Sequence, residues 1–452
     1  MAIYRNVLEL IGNTPMLELT QLDTGPCRLF GKLELNNPGG SIKDRIGVAM
    51  IEGAERDGHV KPGDTLVEAT AGNTGISLAL VAAQKGYRMV IVMPDKMSME
   101  KVFNLKAMGA EVILTRSDVQ KGHPQYFQDL AARIAQERGG FYVNQFANEH
   151  NANAHERITG PEIWEQMEHD MDAVICGVGS GGTITGFGRY FGRVAPHVDV
   201  VLADPEGSIV AEYVRTGTFG KAGSWVVEGI GEDFIPPVCD LEPIKLAYSI
   251  PDAEALLAAR ELLHKEGILV GSSTGTLLAA ALRYCRAQTE PKRVVTLLCD
   301  TGNKYLSKMY NDFWMIDRGY MTRKPFGDLR DFVARPHAEK GTTVIGIAEP
   351  MTSAQLRMRD NGLSQLPVLD EGRYAGLVDE RSMMQALKRG AAIDAPVRDA
   401  MRTDVPVLRS SDTQAALERA LENEPTVVVM HDGEFAGLVT RSDWLVWRRK
   451  QG

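Results

Sequence analysis

Short apolar runs alternate with segments of helical periodicity through about residue 305. Runs at 90–93, 111–114, 173–175, 198–203 and 294–299 have the length and content of strands buried on both faces. A further strand is predicted at 64–69 and a helix at 76–85. Between the early elements, Ile42, Ile46, Ala49 and Met50 recur at helical spacing and mark one buried helix face. Strand and helix in alternation predict an α/β fold with largely parallel sheets.

The pattern changes after Arg323-Lys324-Pro325-Phe326-Gly327-Asp328, a charged stretch with Pro and Gly that reads as the start of a linker over 323–340. Beyond it the chain repeats itself. Leu366-Pro367-Val368-Leu369-Asp370 with Tyr374-Ala375-Gly376-Leu377-Val378 parallels Val427-Val428-Val429-Met430 with Phe435-Ala436-Gly437-Leu438-Val439, about 61 residues on. Each copy reads as strand, acidic turn, strand, helix. Two copies predict a pseudo-symmetric pair, since a solenoid needs three or more repeats.

Composition narrows the class. A chain of 452 residues should hold two or three domains. Apolar residues at 44% and charged residues at 24% are those of a globular protein. The net charge of −9 argues against general affinity for nucleic acid or anionic membranes. No apolar run approaches the ~20 residues of a membrane span. Met1-Ala2-Ile3-Tyr4-Arg5 lacks the start of a signal peptide, so a cytoplasmic location is expected. Cys27, Cys176, Cys239, Cys285 and Cys299 follow no disulfide or zinc spacing, and no metal site is expected.

Three loops carry candidate chemistry. In Asn36-Asn37-Pro38-Gly39-Gly40-Ser41-Ile42-Lys43-Asp44-Arg45, a glycine turn runs into a helix, with Ser41 and Asp44 at capping-box spacing. Lys43 is thereby held at a helix N-terminus, a place suited to anions and to an amine that joins a phosphate-bearing aldehyde. The second loop, Glu68-Ala69-Thr70-Ala71-Gly72-Asn73-Thr74-Gly75, links a strand to a helix, where α/β proteins bind ligands. In the third, Cys176-Gly177-Val178-Gly179-Ser180-Gly181-Gly182-Thr183-Ile184-Thr185-Gly186, backbone N–H groups and two hydroxyls form an anion cradle. Gly177, Gly179 and Gly182 also satisfy the dinucleotide fingerprint, with Asp204 at a suitable distance. That alternative gives no role to Lys43 or to the Asn73 loop.

Together the three segments resemble the fold-type II pyridoxal-phosphate enzymes (tryptophan synthase β-like) that exchange the β-substituent of serine-like amino acids. Ile11-Gly12-Asn13-Thr14-Pro15-Met16 resembles the family's opening signature. Asp95-Lys96-Met97-Ser98, Asp204-Pro205-Glu206-Gly207-Ser208 and Val227-Glu228-Gly229-Ile230-Gly231-Glu232-Asp233-Phe234-Ile235-Pro236 are similar to the cystathionine β-synthases of the haem-free bacterial type. The resemblance implies two parallel-sheet α/β subdomains over 1–322, with pyridoxal phosphate as cofactor. It implies Lys43 as the Schiff-base lysine and Asn73 as partner of the cofactor's ring oxygen. Gly179, Ser180, Gly181, Gly182 and Thr183 would hold its phosphate, and Ser273 would face its pyridine nitrogen. Thr70, Ala71, Gly72, Asn73, Thr74 and Gln145 would bind the substrate carboxylate. Glu228 and Gly229 would help place the amino-acid end of homocysteine.

The implied reaction joins L-serine and L-homocysteine into L-cystathionine and water, with hydrogen sulfide from cysteine plus homocysteine as a side activity. O-Acetylserine as donor or sulfide as nucleophile is the close alternative, and a non-catalytic adenosyl-nucleotide sensor the distant one. Three positions depart from relatives: Ala71 replaces a common serine, and Phe146 and Glu232 stand where some cystathionine synthases carry tyrosine. Haem-binding relatives carry an N-terminal extension with the axial ligands; the signature here begins within a dozen residues of Met1, so no haem is expected. The repeat resembles a pair of CBS motifs forming a Bateman module over 341–452, with copies at about 341–392 and 395–450. Thr440 and Asp443 match that family's ribose-binding Thr/Ser-x-x-Asp, whereas Asp379 and Ser382 stand reversed in the first copy. At most one copy therefore keeps an adenosyl site, and Asp443 could equally cap the helix that follows; the alternative is a purely architectural module that mediates self-association or sets domain spacing. Self-association into dimers or tetramers is expected, with no nucleic-acid or membrane partner.

Overall fold

The computed structural model describes residues 3–450 except Ala71, Lys96, Ser98 and Lys121. It divides into two compact units, Met1–Tyr310 and Asn311–Gly452. In the first, ten strands follow in chain order: β1 Met16–Glu18, β2 Arg28–Lys32, β3 Thr65–Ala69, β4 Arg88–Pro94, β5 Glu111–Thr115, β6 Phe141–Tyr142, β7 Ala173–Cys176, β8 Asp199–Pro205, β9 Leu246–Ile250 and β10 Arg293–Leu297. They form a six-stranded sheet, β1-β2-β10-β7-β8-β9, and a four-stranded sheet, β5-β4-β3-β6. Every pairing is parallel except β1 with β2. Each apolar run of the sequence is one of these strands, shifted at its ends by a residue or two. Helices cover the sheets, as parallel strands require.

The helix Lys43–Arg56 belongs to both sheets. Its entry is tied to the end of β10, through Ile42 N–H donating to the Cys299 carbonyl at 2.8 Å and a bridge between Ser41 and Asp300. Its body packs on the small sheet, where Ile46 and Met50 are buried with Leu66, Ile76 and Ile91. It lies so close to the helix Asn73–Lys85 that a Cβ on Gly47 would fall 2.0 Å from Ser77 Oγ. The two candidate loops are thus fixed relative to each other by helix packing.

The second unit contains the repeat. Strands β11 Ile345–Gly346, β12 Gln365–Asp370 and β13 Arg373–Asp379 form one sheet, and β14 Val407–Arg409, β15 Thr426–His431 and β16 Glu434–Thr440 the other. Both pair parallel then antiparallel, with an irregularity at the matching places Val368/Leu369 and Val429/Met430. Residues 323–340, expected as linker, contribute to this unit's core. Leu329, Phe332 and Val333 are buried with Leu417, Val427 and Val439. The helix Asp312–Arg318, expected in the first domain, also falls in the second unit, where Arg335 pairs with Asp317 at 2.7 Å.

Candidate functional site

Lys43 opens its helix, after a turn in which Gly40 takes φ +75°. The capping box differs in detail from the sequence pattern. The Ser41 hydroxyl accepts from Lys43 N–H at 3.2 Å, and the Asp44 carboxylate accepts from Gly39 N–H at 2.6 Å. Burial pushes the Asp44 carboxyl up to about 7. The Lys43 amine is half-buried and makes no hydrogen bond or ion pair among the described residues. Burial holds it below the usual lysine range, against the opposing pull of Cys299, Asp300 and Glu232.

Asn73 opens the next helix. Its Nδ2 donates to Asp300 at 2.8 Å, and its Oδ1 accepts from Lys304 Nζ at 3.0 Å. Asp300 also accepts from the Tyr305 hydroxyl at 2.8 Å, while its other oxygen is buried and has no partner among the described residues. None of these three partners stood out in the sequence. A signal was available: Asp300 follows the strand β10, and such loops are the binding edge of parallel sheets.

The Thr70 hydroxyl accepts from Gly72 N–H at 3.1 Å, leaving its proton to donate. The Thr74 hydroxyl donates to Gln145 Oε1 at 2.7 Å, and Gln145 Nε2 donates to Glu68 at 3.3 Å and to the Ala69 carbonyl at 3.2 Å. Gln145 therefore braces the loop from behind. Ala71 lies outside the described residues.

The glycine loop leads from β7 into the helix Gly182–Val194, with Gly181 at φ +87° in the left-handed region. The N–H groups of Gly179, Ser180, Gly181, Gly182 and Thr183 donate to no acceptor among the described residues. Asn151 links this loop to the previous one, donating to the Gln145 carbonyl at 2.8 Å and to Ser180 Oγ at 2.9 Å. Asp204, the acid of the dinucleotide alternative, is buried and accepts from Ala211 N–H at 2.8 Å, so it is committed inside the protein.

Glu228 adjoins the cradle, since a Cβ on Gly179 would meet the Gly229 carbonyl at 2.4 Å. Its carboxylate sits between Lys101 Nζ at 2.5 Å and Lys308 Nζ at 2.7 Å. Burial raises its pKa, the two lysines outweigh that, and the net position is below the usual carboxylate range. Its N–H donates to Ser272 Oγ at 3.0 Å, next to Ser273, which is buried beside Cys299. Phe146 is buried against Phe234, with ring centroids 5.6 Å apart.

The family of pyridoxal-phosphate dependent enzymes matches residues 7–300, and the CBS domain matches 320–389 and 397–449. Cystathionine beta-synthase of Oryctolagus cuniculus is 36% identical over 95% of this chain and 80% of its own length. That of Dictyostelium discoideum is 35% identical over 99% of this chain and 93% of its own. The chain belongs to the cystathionine β-synthase family. Among solved structures, a hydrogen sulfide-producing enzyme from Fusobacterium nucleatum superposes with a TM-score of 0.63 at 36% identity, covering 67% of this chain and all (100%) of that one. O-ureido-L-serine synthase gives 0.64 at 32%, covering 68% of this chain and 95% of that one.

The cofactor of the cystathionine β-synthase family is pyridoxal phosphate, and the residues present fit it. Five unengaged N–H groups and two hydroxyls suit a phosphate, and an unpaired amine suits an aldehyde.

In the second unit, Thr440 and Asp443 close on each other. Asp443 accepts from Thr440 N–H at 2.7 Å and from its hydroxyl at 2.6 Å, and Asp443 N–H donates back to the hydroxyl at 3.2 Å. Asp379 and Ser382 form the reversed box in the first copy. Both pairs thus have a local capping role. Among the described residues there is no cluster of three metal-ligating side chains, and no helix is long and apolar enough to cross a membrane.

Proposed function

We propose that this protein condenses L-serine with L-homocysteine to give L-cystathionine and water, and forms hydrogen sulfide when cysteine replaces serine. The observation that carries the reading is half-buried Lys43, whose amine has no partner among the described residues and is shifted toward its neutral form. Pyridoxal phosphate supplies an aldehyde for the substrate's amino group and a ring that withdraws electrons from its Cα. Gly179, Ser180, Gly181, Gly182 and Thr183 would hold the phosphate, and Asn73, fixed by Asp300 and Lys304, would offer its remaining Nδ2 hydrogen to the ring oxygen. Ser273, beside Cys299, would offer a neutral hydroxyl to the ring nitrogen.

The substrate carboxylate takes the Thr70 hydroxyl and the N–H groups of the first turn of the Asn73 helix, with Gly72, Asn73 and Thr74 setting that turn. Lys43 Nζ removes the proton from Cα and passes a proton to the departing β-hydroxyl oxygen, which leaves as water. Lys101, Glu228 and Lys308, with Gly229 shaping the turn, present both signs of charge to the amino-acid end of the thiol substrate. An adenosyl ligand at the Bateman module would dock its ribose at Thr440 and Asp443.

The test is a competition. The cofactor-loaded protein receives serine and O-acetylserine in separate isotopic labels, with homocysteine and sulfide together, and products are identified by mass. Cystathionine labelled from serine is the expected result. Cysteine labelled from O-acetylserine as the main product would overturn the reading in favour of a cysteine synthase.

A further inference from the structure

Behind the glycine loop, Asn151 lies in the helix Glu149–Ala154, one turn before His155, which opens a single wide π turn, His155–Thr159. Such turns are rare and recur at functional sites. The helix after the loop presses on this segment so closely that a Cβ on Gly186 would lie 2.6 Å from both the Ala152 carbonyl oxygen and His155 Cβ.

We propose that Asn151 and His155 are positioning residues that turn the hydroxyl protons of Ser180 and Thr183 toward the cofactor's phosphate. The inference rests on the reading of that loop as the phosphate cradle. A phosphate dianion can only accept, so each hydroxyl helps only if its proton points outward.

Asn151 settles this for Ser180. Its Nδ2 lies 2.8 Å from the Gln145 carbonyl, which can only accept, so the amide orientation is fixed. The second hydrogen of the same nitrogen reaches Ser180 Oγ at 2.9 Å. Ser180 accepts from behind and keeps its own proton for the loop's open side.

His155 does the same for Thr183. Its Nε2 is 3.2 Å from Thr183 Oγ1, and its Nδ1 is 3.0 Å from Thr159 Oγ1. The ring is fully buried, and burial with the charges of Lys43 and Arg45 keeps it neutral. A neutral ring carries one N–H. With that proton on Nε2, Thr159 donates to Nδ1, Nε2 donates to Thr183, and the Thr183 proton is left for the anion. The other tautomer would draw that proton inward.

The test compares pyridoxal phosphate with pyridoxal, which lacks the phosphate, by equilibrium dialysis on cofactor-stripped protein. His155→Phe should weaken pyridoxal phosphate by about tenfold or more and leave pyridoxal unchanged. His155→Gln, which restores a donor, should recover most of the loss. Nitrogen NMR of the loaded parent protein should find the His155 proton on Nε2, a readout that needs no variant to fold. Equal weakening of both ligands, or a proton on Nδ1, would overturn the proposal. Thr183→Val separates the two readings. If it shows the phosphate-selective loss and His155→Phe does not, the positioning role alone fails. If Thr183→Val shows no such loss, the cradle reading fails with it.

Discussion

Glu228→Gln removes one negative charge from between two lysines and keeps the side chain's shape. The lysines do not suffer equally. The Lys101 side chain is 2% exposed, whereas that of Lys308 is 29% exposed. A buried cation stripped of its partner costs about 3–5 kcal/mol, and a solvated pair is worth about 0–1 kcal/mol. The loss expected for Glu228→Gln is therefore about 3–5 kcal/mol, nearly all of it from Lys101. Lys308→Met should lose about 1 kcal/mol or less. The double variant Lys101→Met with Glu228→Gln should recover most of the single variant's loss, because no buried charge is then stranded. The assay is urea unfolding of the loaded protein, read as a midpoint shift at constant slope. An acid series adds a sign. The Glu228 carboxyl lies below its usual range, so its stabilisation is present above the unfolded value near ~4.3 and is lost as pH falls through the folded one. Glu228→Gln should flatten the acid limb of stability below about pH 5. An unchanged midpoint for Glu228→Gln, or a larger loss for Lys308→Met than for Lys101→Met, would refute the reasoning.

Three further outcomes follow from buried charges and caps. Burial pushes the Glu68 carboxyl up to about 8, so its stabilisation is complete below the unfolded value and lost as pH rises through the folded one. Glu68→Gln should melt near the parent's temperature at about pH 5 and clearly above it at about pH 9; equal melting at both would contradict this. Arg45→Met leaves Glu34, fully buried and held at 2.7 and 2.8 Å, without its cation and should lose about 3–5 kcal/mol in urea. Asp443→Ala should destabilise the second unit by about 1 kcal/mol through its capping box. Calorimetry with an adenosyl ligand then decides the ribose role, which unchanged affinity would exclude.

Several parts of the site were legible because they are local. The Lys43 turn, the Asn73 loop and the glycine loop are each contiguous strand-to-helix connections, and residue type within a few positions specifies their backbone. The repeat was legible for the same reason. Residues 323–340 look like a linker in sequence because Pro325 and Gly327 favour irregular structure, while the burial of Leu329, Phe332 and Val333 depends on apolar partners near residues 417–439. The family resemblance points Gln145 at the substrate, yet its amide is engaged by Thr74, Glu68 and Ala69. Residue identity alone cannot say which way an amide is turned.

Local residue pattern was enough to specify the alternation of strand and helix, the lysine held behind a glycine turn, the glycine-rich loop after a strand and the doubled motif. Periodicity and turn chemistry act over one element and its neighbours. Which charges meet follows from long-range packing. Lys101 and Glu228 stand 127 positions apart, and Asn73 and Asp300 stand 227 apart. Their pairing depends on how two sheets place their strand ends together. The same holds for Asn151 and His155, which look like ordinary helix residues until the packing of one helix against another sets them behind the glycine loop.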